Sequence, residues 1–304
     1  MGSHDLVWTP RPGGQQRVFD SAADVIGYAG EAGGGKTDAG FGLAFCRHQA
    51  SILFRREFAQ MNLRIVDRGH ELFVDSGEAK FNGLTKRWSF GRSHFLQLGA
   101  MKFLNDWGKY RGGSWDLMIF DETTEFLKSQ VLSVMGWNRS TDATQHCQTL
   151  MFFNPPSEPE GEWVIDYFGA WLDPEHLNPA EEGELRWYVT LDGEDLEVSD
   201  GSLITHHGKT FKPRSRTFYF SRLDENPDLR DTYPSILASL PYPLNLQLLT
   251  GDFQIGLDPD VWRVIPPEWV RVAQERWKQT SKPTTMMTAI GVDVARGGKA
   301  QTVI

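Results

Sequence analysis

The chain has 304 residues, of which 40% are hydrophobic, and a formal net charge of −9 at pH 7. This length suffices for one large domain, or for one domain and part of a second. No run of about 18 apolar residues is present and the first residues do not resemble a signal peptide, so the sequence predicts neither a membrane-spanning nor a secreted protein. The isolated cysteines Cys46 and Cys147 predict no disulfide or zinc site, and we expect both to pack in the core.

The negative charge is unevenly distributed. Residues 181–200 contain eight acidic residues and one basic residue, whereas residues 47–111 contain twelve Lys or Arg against six Asp or Glu. Trp88, Phe90 and Trp107 lie within this basic stretch. The net charge therefore leaves room for a local nucleic-acid surface, although an ordinary solvated face of mixed charge is the alternative.

The first predicted strand, residues 23–29, precedes the sequence GEAGGGKT and a helix predicted over residues 37–47. GEAGGGKT matches the GxxxxGK[ST] pattern of a phosphate-binding loop, or P-loop. A loop between strand and helix aims its N–H groups and the helix N-terminus at nucleotide phosphates, whereas a merely flexible loop is the alternative. We expect Lys36 to neutralise phosphate charge and Thr37 to hold Mg²⁺. The predicted nucleotide contacts are Gly30, Glu31, Ala32, Gly33, Gly34, Gly35, Lys36 and Thr37.

A second acidic element follows further along the chain. Residues 51–55 predict a strand and residues 86–98 predict a non-catalytic hairpin. Residues 117–120 are four apolar residues followed by Asp121 and Glu122. We expect Asp121 to serve Mg²⁺ and Glu122 to polarise the water that attacks the γ-phosphate, whereas a helix cap is the alternative role.

The strand predicted over residues 149–154 ends at Asn154, before two prolines. Asn154 can hydrogen-bond the γ-phosphate or the attacking water, or it can simply form a turn. These strands predict an α/β fold, a P-loop NTPase with a mostly parallel sheet flanked by helices, and a Glu after the metal Asp favours the branch of motors and helicases. Residues 160–250 are expected to add the last core strands and a small lid or linker subdomain. His206 and His207, without other ligands at suitable spacing, predict no metal site.

Several stretches, in this order, resemble the large subunit of tailed-bacteriophage terminases, the motors that package DNA into procapsids. After the P-loop, the most extensive is YRGGSWDLMIFDETTEF at residues 110–126. The others are WTPRPGGQQ at 8–16, FRRE at 54–57, FFNP at 152–155, DENPDL at 224–229, LTGDF at 249–253 and GVDVARGG at 291–298.

The resemblance implies ATP and Mg²⁺ as cofactors and an adenine-contacting motif at Gln15 and Gln16. It also implies a homo-oligomeric ring, with a monomer possible in isolation, in which an arginine of one subunit completes the neighbour's ATP site. Arg139 is the candidate, and Arg55 and Arg56 are alternatives that could also act in cis. The implied partners are double-stranded DNA, a portal ring or procapsid, and a small terminase subunit, in the host cytoplasm.

The resemblance also implies an ATPase domain over residues 1–250 with lid elements, a linker over 251–285 and the beginning of a ribonuclease H-like nuclease domain over 286–304. Asp293 matches the first ligand of a two-metal nuclease site, although a surface acid at a strand end is the alternative. Ala300 stands where related sequences often have an acid. We expect this nuclease part to be incomplete, poorly ordered and inactive.

Three functions remain open. An ATP-driven DNA translocase of the terminase type is the first. Another P-loop ATPase acting on nucleic acid, such as a helicase, is the second. A nucleotide-binding module without turnover is the third, and Glu122 argues against it.

Overall fold

Buried strands form the centre of the protein because sequences such as VIGYAG and LMIFD are apolar on both faces, as parallel strands between two helix layers require. The structure, a computed structural model, describes residues 7–62, 64–91 and 94–255. The strands in these residues are β1 (Val25–Gly30), β2 (Ala50–Arg55), β3 (Lys80–Asn82), β4 (Arg87–Phe90), β5 (His94–Ala100), β6 (Leu117–Asp121), β7 (Gln148–Phe153), β8 (Arg186–Leu191), β9 (Glu194–Val198), β10 (Ile204–His206), β11 (Lys209–Phe211) and β12 (Arg214–Ser221).

One ten-stranded sheet contains all of these strands except β10 and β11, in the order β3-β4-β5-β2-β6-β7-β1-β12-β8-β9. The strands from β5 to β12 in this order are mutually parallel. Antiparallel strands extend both edges, and β10 and β11 pair with each other. The predicted α/β class with a mostly parallel sheet is confirmed.

Helices cover both faces of the sheet. The α-helices of the described residues are α1 (Gly14–Asp20), α2 (Lys36–Cys46), α3 (Phe58–Asn62), α4 (Ile65–Gly69), α5 (Lys128–Met135), α6 (Trp163–Tyr167), α7 (Gly169–Leu172), α8 (Tyr233–Ala238) and α9 (Leu244–Thr250). Single turns of 3-10 or π-helix lie at His70–Val74, Asp106–Tyr110, Thr123–Glu125 and Pro159–Gly161. No helix in the part of the chain that the structure describes is long and apolar enough to cross a membrane.

Two hydrophobic cores lie on opposite faces of the sheet because successive strand residues alternate between them. In β7, Leu150 and Phe152 face the core that contains Phe41 of α2, whereas Met151 and Phe153 face the other. Burying a large apolar side chain contributes about 1.5–3 kcal/mol. The sheet is thereby fixed between its two helix layers, and its strand ends have defined positions.

Some details differ from the expectation. The acidic residues 181–200 contribute the β8–β9 hairpin, which continues the main sheet and thus supplies some of the strands expected over residues 160–250. The hairpin around Gly91 is confirmed. A core position for Cys46 is wrong, because this residue ends α2 on its exposed side; Cys147 is partly buried. Asp293 and Ala300 lie outside the described residues.

Candidate nucleotide site

The predicted site residues lie at the carboxyl ends of the central parallel strands. β1 leads into the P-loop, β6 into Asp121 and Glu122, β7 into Asn154, and β12 into residue 221. Parallel neighbours bring their carboxyl ends together, which is where α/β proteins bind ligands. Segments that are far apart in sequence thus meet at the P-loop.

The glycines of the P-loop are required by its backbone shape and by close packing. Gly33 and Gly35 have φ of 84° and 78°, a left-handed conformation that disfavours other residues. A Cβ at Gly34 would lie 2.0 Å from Ser221 Oγ. The loop leads directly into α2, whose first residue is Lys36. The positive end of this helix therefore faces the space that the loop encloses.

Lys36 is buried within the site. Its Nζ donates a hydrogen bond to the Glu31 carbonyl oxygen at 2.8 Å. Burial lowers the pKa of Lys36 to about 8, although the negative charges of Glu122, Asp121 and Glu31 oppose this change. The hydrogen-bond partner of this buried ammonium is a neutral carbonyl, which the oxygens of an anionic ligand can replace.

Thr37, Asp121 and Arg55 form a polar cluster beside the loop. The Thr37 hydroxyl lies 3.2 Å from both carboxylate oxygens of Asp121. Hydroxyl and carboxylate oxygens are ligands that Mg²⁺ prefers, so this pair fits the predicted metal role. Arg55 donates to Asp121 Oδ2 from Nε at 3.0 Å and lies within 2.9 Å of it through Nη2. Arg55 is thus engaged within its own subunit.

Glu122 follows Asp121 in a constrained conformation. Its φ is 57°, in the left-handed region, and this backbone conformation costs a residue other than glycine about 1–3 kcal/mol. Burial and the adjacent Asp121 charge raise the pKa of Glu122, and Arg55 and Lys36 counteract this rise. A carboxylate with a raised pKa accepts a proton more readily, which suits a general base.

Asn154 and Gln15 both contact the backbone of the loop. Asn154 Nδ2 donates to the Gly30 carbonyl at 2.6 Å, and Gln15 Nε2 donates to the Gly35 carbonyl at 2.8 Å. Gln15 is only 4% exposed, whereas Gln16 lies outside the loop and donates to Asp20. Of the two predicted glutamines, the structure therefore brings Gln15 to the P-loop.

Arg139 lies at the other end of the parallel strands, next to the start of β6. Its N–H donates to the Trp115 carbonyl at 2.9 Å, just before β6 begins, and its side chain is exposed. Asp121 ends the same strand, about 20 Å further along at roughly 3.3 Å per residue. Arg139 is thus remote from the P-loop of its own chain. Arg56 donates to the Glu125 carbonyl, close to the site.

Two buried side chains that the sequence analysis missed also hold the loop. Tyr28 Oη donates to the Gly34 carbonyl at 3.2 Å, and Asn226 Nδ2 donates to the Gly33 carbonyl. Asn226 belongs to the DENPDL stretch, which the resemblance singled out without assigning it a role. Tyr28 is an apolar-looking position of β1, and no local pattern marks it.

Helix α9 also contacts the loop. The Ala32 N–H donates to the Leu248 carbonyl at 2.9 Å, and the Glu31 N–H donates to the Ser221 carbonyl at 2.9 Å. A Cβ at Gly251, the C-cap of α9, would lie 2.7 Å from the Glu31 nitrogen. The end of α9 therefore packs directly on the beginning of the P-loop.

His206 and His207 acquire a third neighbour in the structure. His206 Nε2 lies 2.7 Å from Asp192 Oδ2, and His207 Nε2 lies 3.7 Å from the same oxygen. The sequence separation of 14 residues hides this arrangement. The cluster belongs to hairpin turns and not to the nucleotide site.

The fold and the loop define an α/β protein of the P-loop NTPase class. The chain also has the fold of phage large terminases: 80% of it matches the large terminase from a thermophilic bacteriophage (crystal form 2), with a TM-score of 0.53, 12% identity and coverage of 53% of that chain. Crystal form 3 of that terminase matches with a TM-score of 0.50 at 12% identity, over 80% of this chain and 52% of the other.

The chain thus spans about half the length of the terminase structures that it matches. No protein-family model matches it, and no curated protein sequence does. The predicted resemblance to large terminases is confirmed at the level of the fold.

Proposed function

We propose that this protein is an ATP-hydrolysing motor subunit that moves double-stranded viral DNA into a procapsid. One observation carries the proposal: Lys36, the Thr37–Asp121 pair and Glu122 meet at the carboxyl ends of the parallel strands in a terminase-like fold. Together these groups supply a phosphate cradle, metal ligands and a base, which are the parts that triphosphate hydrolysis requires.

In this proposal the triphosphate of ATP lies along residues 30–37. The Lys36 ammonium exchanges the Glu31 carbonyl for phosphate oxygens. Thr37 and Asp121 would hold Mg²⁺, which neutralises phosphate charge when bound. Glu122 orients the attacking water and accepts its proton. Asn154 stands between β7 and the loop and is suited to sense the γ-phosphate.

The position of Arg139 supports a ring in which it acts on the neighbouring subunit. The Arg139 backbone lies about 20 Å along β6 from Asp121, further than an arginine side chain extends, whereas a head-to-tail copy could present this exposed side chain to the next subunit. Arg55 already neutralises Asp121 and Glu122 within the chain, so its proposed role is in cis.

The proposed partners are double-stranded DNA, a portal ring or procapsid, and a small terminase subunit. Asp293 is proposed as the first metal-binding carboxylate of a DNA-cutting site of the kind that the resemblance implies. The second candidate is another nucleic-acid-dependent P-loop ATPase, such as a helicase, because the nucleotide site alone does not specify the polymer.

The decisive experiment is phosphate release from ATP, measured with procapsids, with single-stranded nucleic acid, and with neither. We expect procapsids to stimulate turnover. Stimulation by single-stranded nucleic acid together with unwinding would favour the helicase, and nucleotide binding without any turnover would leave a regulatory module.

Two variants separate binding from chemistry. Lys36→Ala removes the cation of the loop, and we expect it to lose both triphosphate binding and hydrolysis. Glu122→Gln keeps the metal ligands, so ATP should still bind while turnover falls by roughly 10²-fold or more. Glu160→Gln, an exposed acid nearby, serves as the matched control. Equal loss of binding in the Lys36 and Glu122 variants would contradict these roles.

A further inference from the structure

The carbonyl groups of the P-loop are held by side chains from outside the loop. The Gly33 carbonyl accepts from Asn226, the Gly34 carbonyl from Tyr28 and the Gly35 carbonyl from Gln15. All three donors are at most 5% exposed. Three consecutive peptide groups are thus fixed by hydrogen bonds from buried side chains.

The planarity of the peptide group gives these contacts a consequence for the N–H groups. In a trans peptide the N–H of each residue points away from the carbonyl before it. The three side chains hold the carbonyls of residues 33–35 towards the protein interior. The N–H groups of residues 34–36 therefore point into the space that the loop encloses. Converging N–H groups form an anion-binding nest.

Two of the donors are also tied to each other through Arg11. The Arg11 guanidinium donates to Asn226 Oδ1, and the Arg11 N–H donates to Gln15 Oε1 at 3.0 Å. The contacts to Gly33 and Gly35 thus belong to one connected network that runs through Arg11.

We propose that Asn226 and Tyr28 are positioning residues for nucleotide, which hold the P-loop in its phosphate-binding shape before the ligand arrives. This inference rests on the proposed function for its ligand, ATP. It assigns to the DENPDL stretch a role in preorganising the loop. Preorganised contacts act on the bound ground state and on the transition state alike, so they change KM more than kcat.

The test uses Tyr28→Phe and Asn226→Asp in the full chain. Each removes one hydrogen-bond donor with little change of shape. The aspartate also places a carboxylate oxygen next to the Gly33 carbonyl oxygen, and the two repel each other. Tyr219→Phe is the matched control, because Tyr219 is the register partner of Tyr28 on β12 and is also buried. We expect a roughly fivefold rise in the KM for ATP for Tyr28→Phe, roughly tenfold or more for Asn226→Asp, and kcat within about twofold.

A second measurement is independent of nucleotide. Hydrogen exchange of the amides of residues 30–37 in nucleotide-free protein should be several-fold faster in both variants than in wild type or Tyr219→Phe. Unchanged exchange and unchanged KM would overturn the proposal, as would an equal effect of Tyr219→Phe. If wild type neither binds nor hydrolyses ATP while exchange responds as expected, the proposed function fails and the positioning role stands.

A separate observation concerns Asp192, His206 and His207. Asp192 and His207 have φ of 51° and 48° and precede glycines with φ of 86° and 72°, the pattern of tight hairpin turns. These turns bring one carboxylate oxygen and two imidazole nitrogens within 4.8 Å of one another. Imidazole and carboxylate together suit Zn²⁺ and related transition metals, not Mg²⁺.

We infer that this cluster binds Zn²⁺ through three protein ligands, with water completing a tetrahedral site, and so links the β8–β9 turn to the β10–β11 turn. Side chains at these exposed turns have the freedom to close the remaining distances to those of a metal site. The inference does not depend on the proposed function.

Calorimetric titration with ZnCl₂ tests it in wild type, Asp192→Asn and His207→Gln. His146→Gln is the matched control, since His146 pairs with Asp24 at 2.9 Å and, among the residues that the structure describes, belongs to no such cluster. We expect roughly tenfold or greater weakening in the two cluster variants and no change in the control. No Zn²⁺ binding by wild type at a concentration on the order of 100 micromolar, or equal affinity in all variants, as binding at Cys46 would produce, would overturn it.

Discussion

Lys36→Met is predicted to stabilise the folded protein while it abolishes nucleotide binding. Lys36 is 9% exposed, and burial lowers its pKa from 10.5 to about 8. At about 1.4 kcal/mol per pKa unit, keeping this ammonium charged at pH 7 costs the folded state about 3 kcal/mol. Methionine has similar length and no charge, but it loses the hydrogen bond to Glu31, which contributes about 1 kcal/mol. The expected net gain is about 2 kcal/mol.

The gain should depend on pH in a defined direction. The folded-state pKa of about 8 lies below the ordinary value of 10.5, so the unfolded chain binds more protons between these pH values. Wild type therefore becomes more stable as pH rises through this window. The advantage of Lys36→Met is complete below about pH 8 and is lost by about pH 10.5.

Urea unfolding and thermal unfolding at pH 7 and pH 10 measure this advantage. At pH 7 we expect a rise in Tm of about 4 °C or more. Lys128→Met is the control, because Lys128 is an exposed helical lysine. Lysine and methionine have similar helix propensities, so this substitution should leave stability nearly unchanged. Equal or lower stability of Lys36→Met at pH 7, or an advantage that does not shrink with pH, would refute the reasoning.

Arg139→Ala should leave ATP binding intact but remove the ATPase activity gained on assembly. Mixing this variant with Lys36→Ala protein should restore part of that activity, which is measured as ATP turnover in the mixed assemblies. Absence of complementation would direct attention to Arg56, because Arg55 is proposed to act in cis. Gly34→Ala should impair nucleotide binding roughly tenfold or more, because its Cβ would lie 2.0 Å from Ser221 Oγ and 3.1 Å from the Arg222 carbonyl oxygen, which belongs to the backbone. Gly83→Ala, which meets nothing within 4 Å, should bind nucleotide normally in the same fluorescence titration, and similar behaviour of the two variants would contradict the packing argument.

Local patterns predicted the parts of the fold that are encoded locally. The glycine run between strand and helix, and the apolar run before Asp121, each report on neighbours within a few residues. The same patterns assigned both Thr37 and Asp121 to Mg²⁺, and the two side chains lie 3.2 Å apart.

Contacts between distant segments were beyond such patterns. Asn226 lies 193 residues from Gly33, and an amide in a polar stretch looks the same whether it caps a turn or holds a P-loop. Tyr28 resembles any apolar strand residue, because its hydroxyl function depends on a carbonyl six residues away in a loop that folds back. Cys46 shows the opposite error, in which an apolar residue type suggested burial that the end of α2 does not provide.

The contact between the P-loop and α9 makes the loop part of a mechanical linkage. The Ala32 N–H is bonded to the last turn of α9, and Gly251 leaves no gap between them. A change in the shape of the loop must either break this bond or move α9 with it, because the backbone hydrogen bonds of a helix make it move as a unit. Under the proposed function, the free energy of triphosphate hydrolysis would then reach a helix outside the nucleotide site through this single contact.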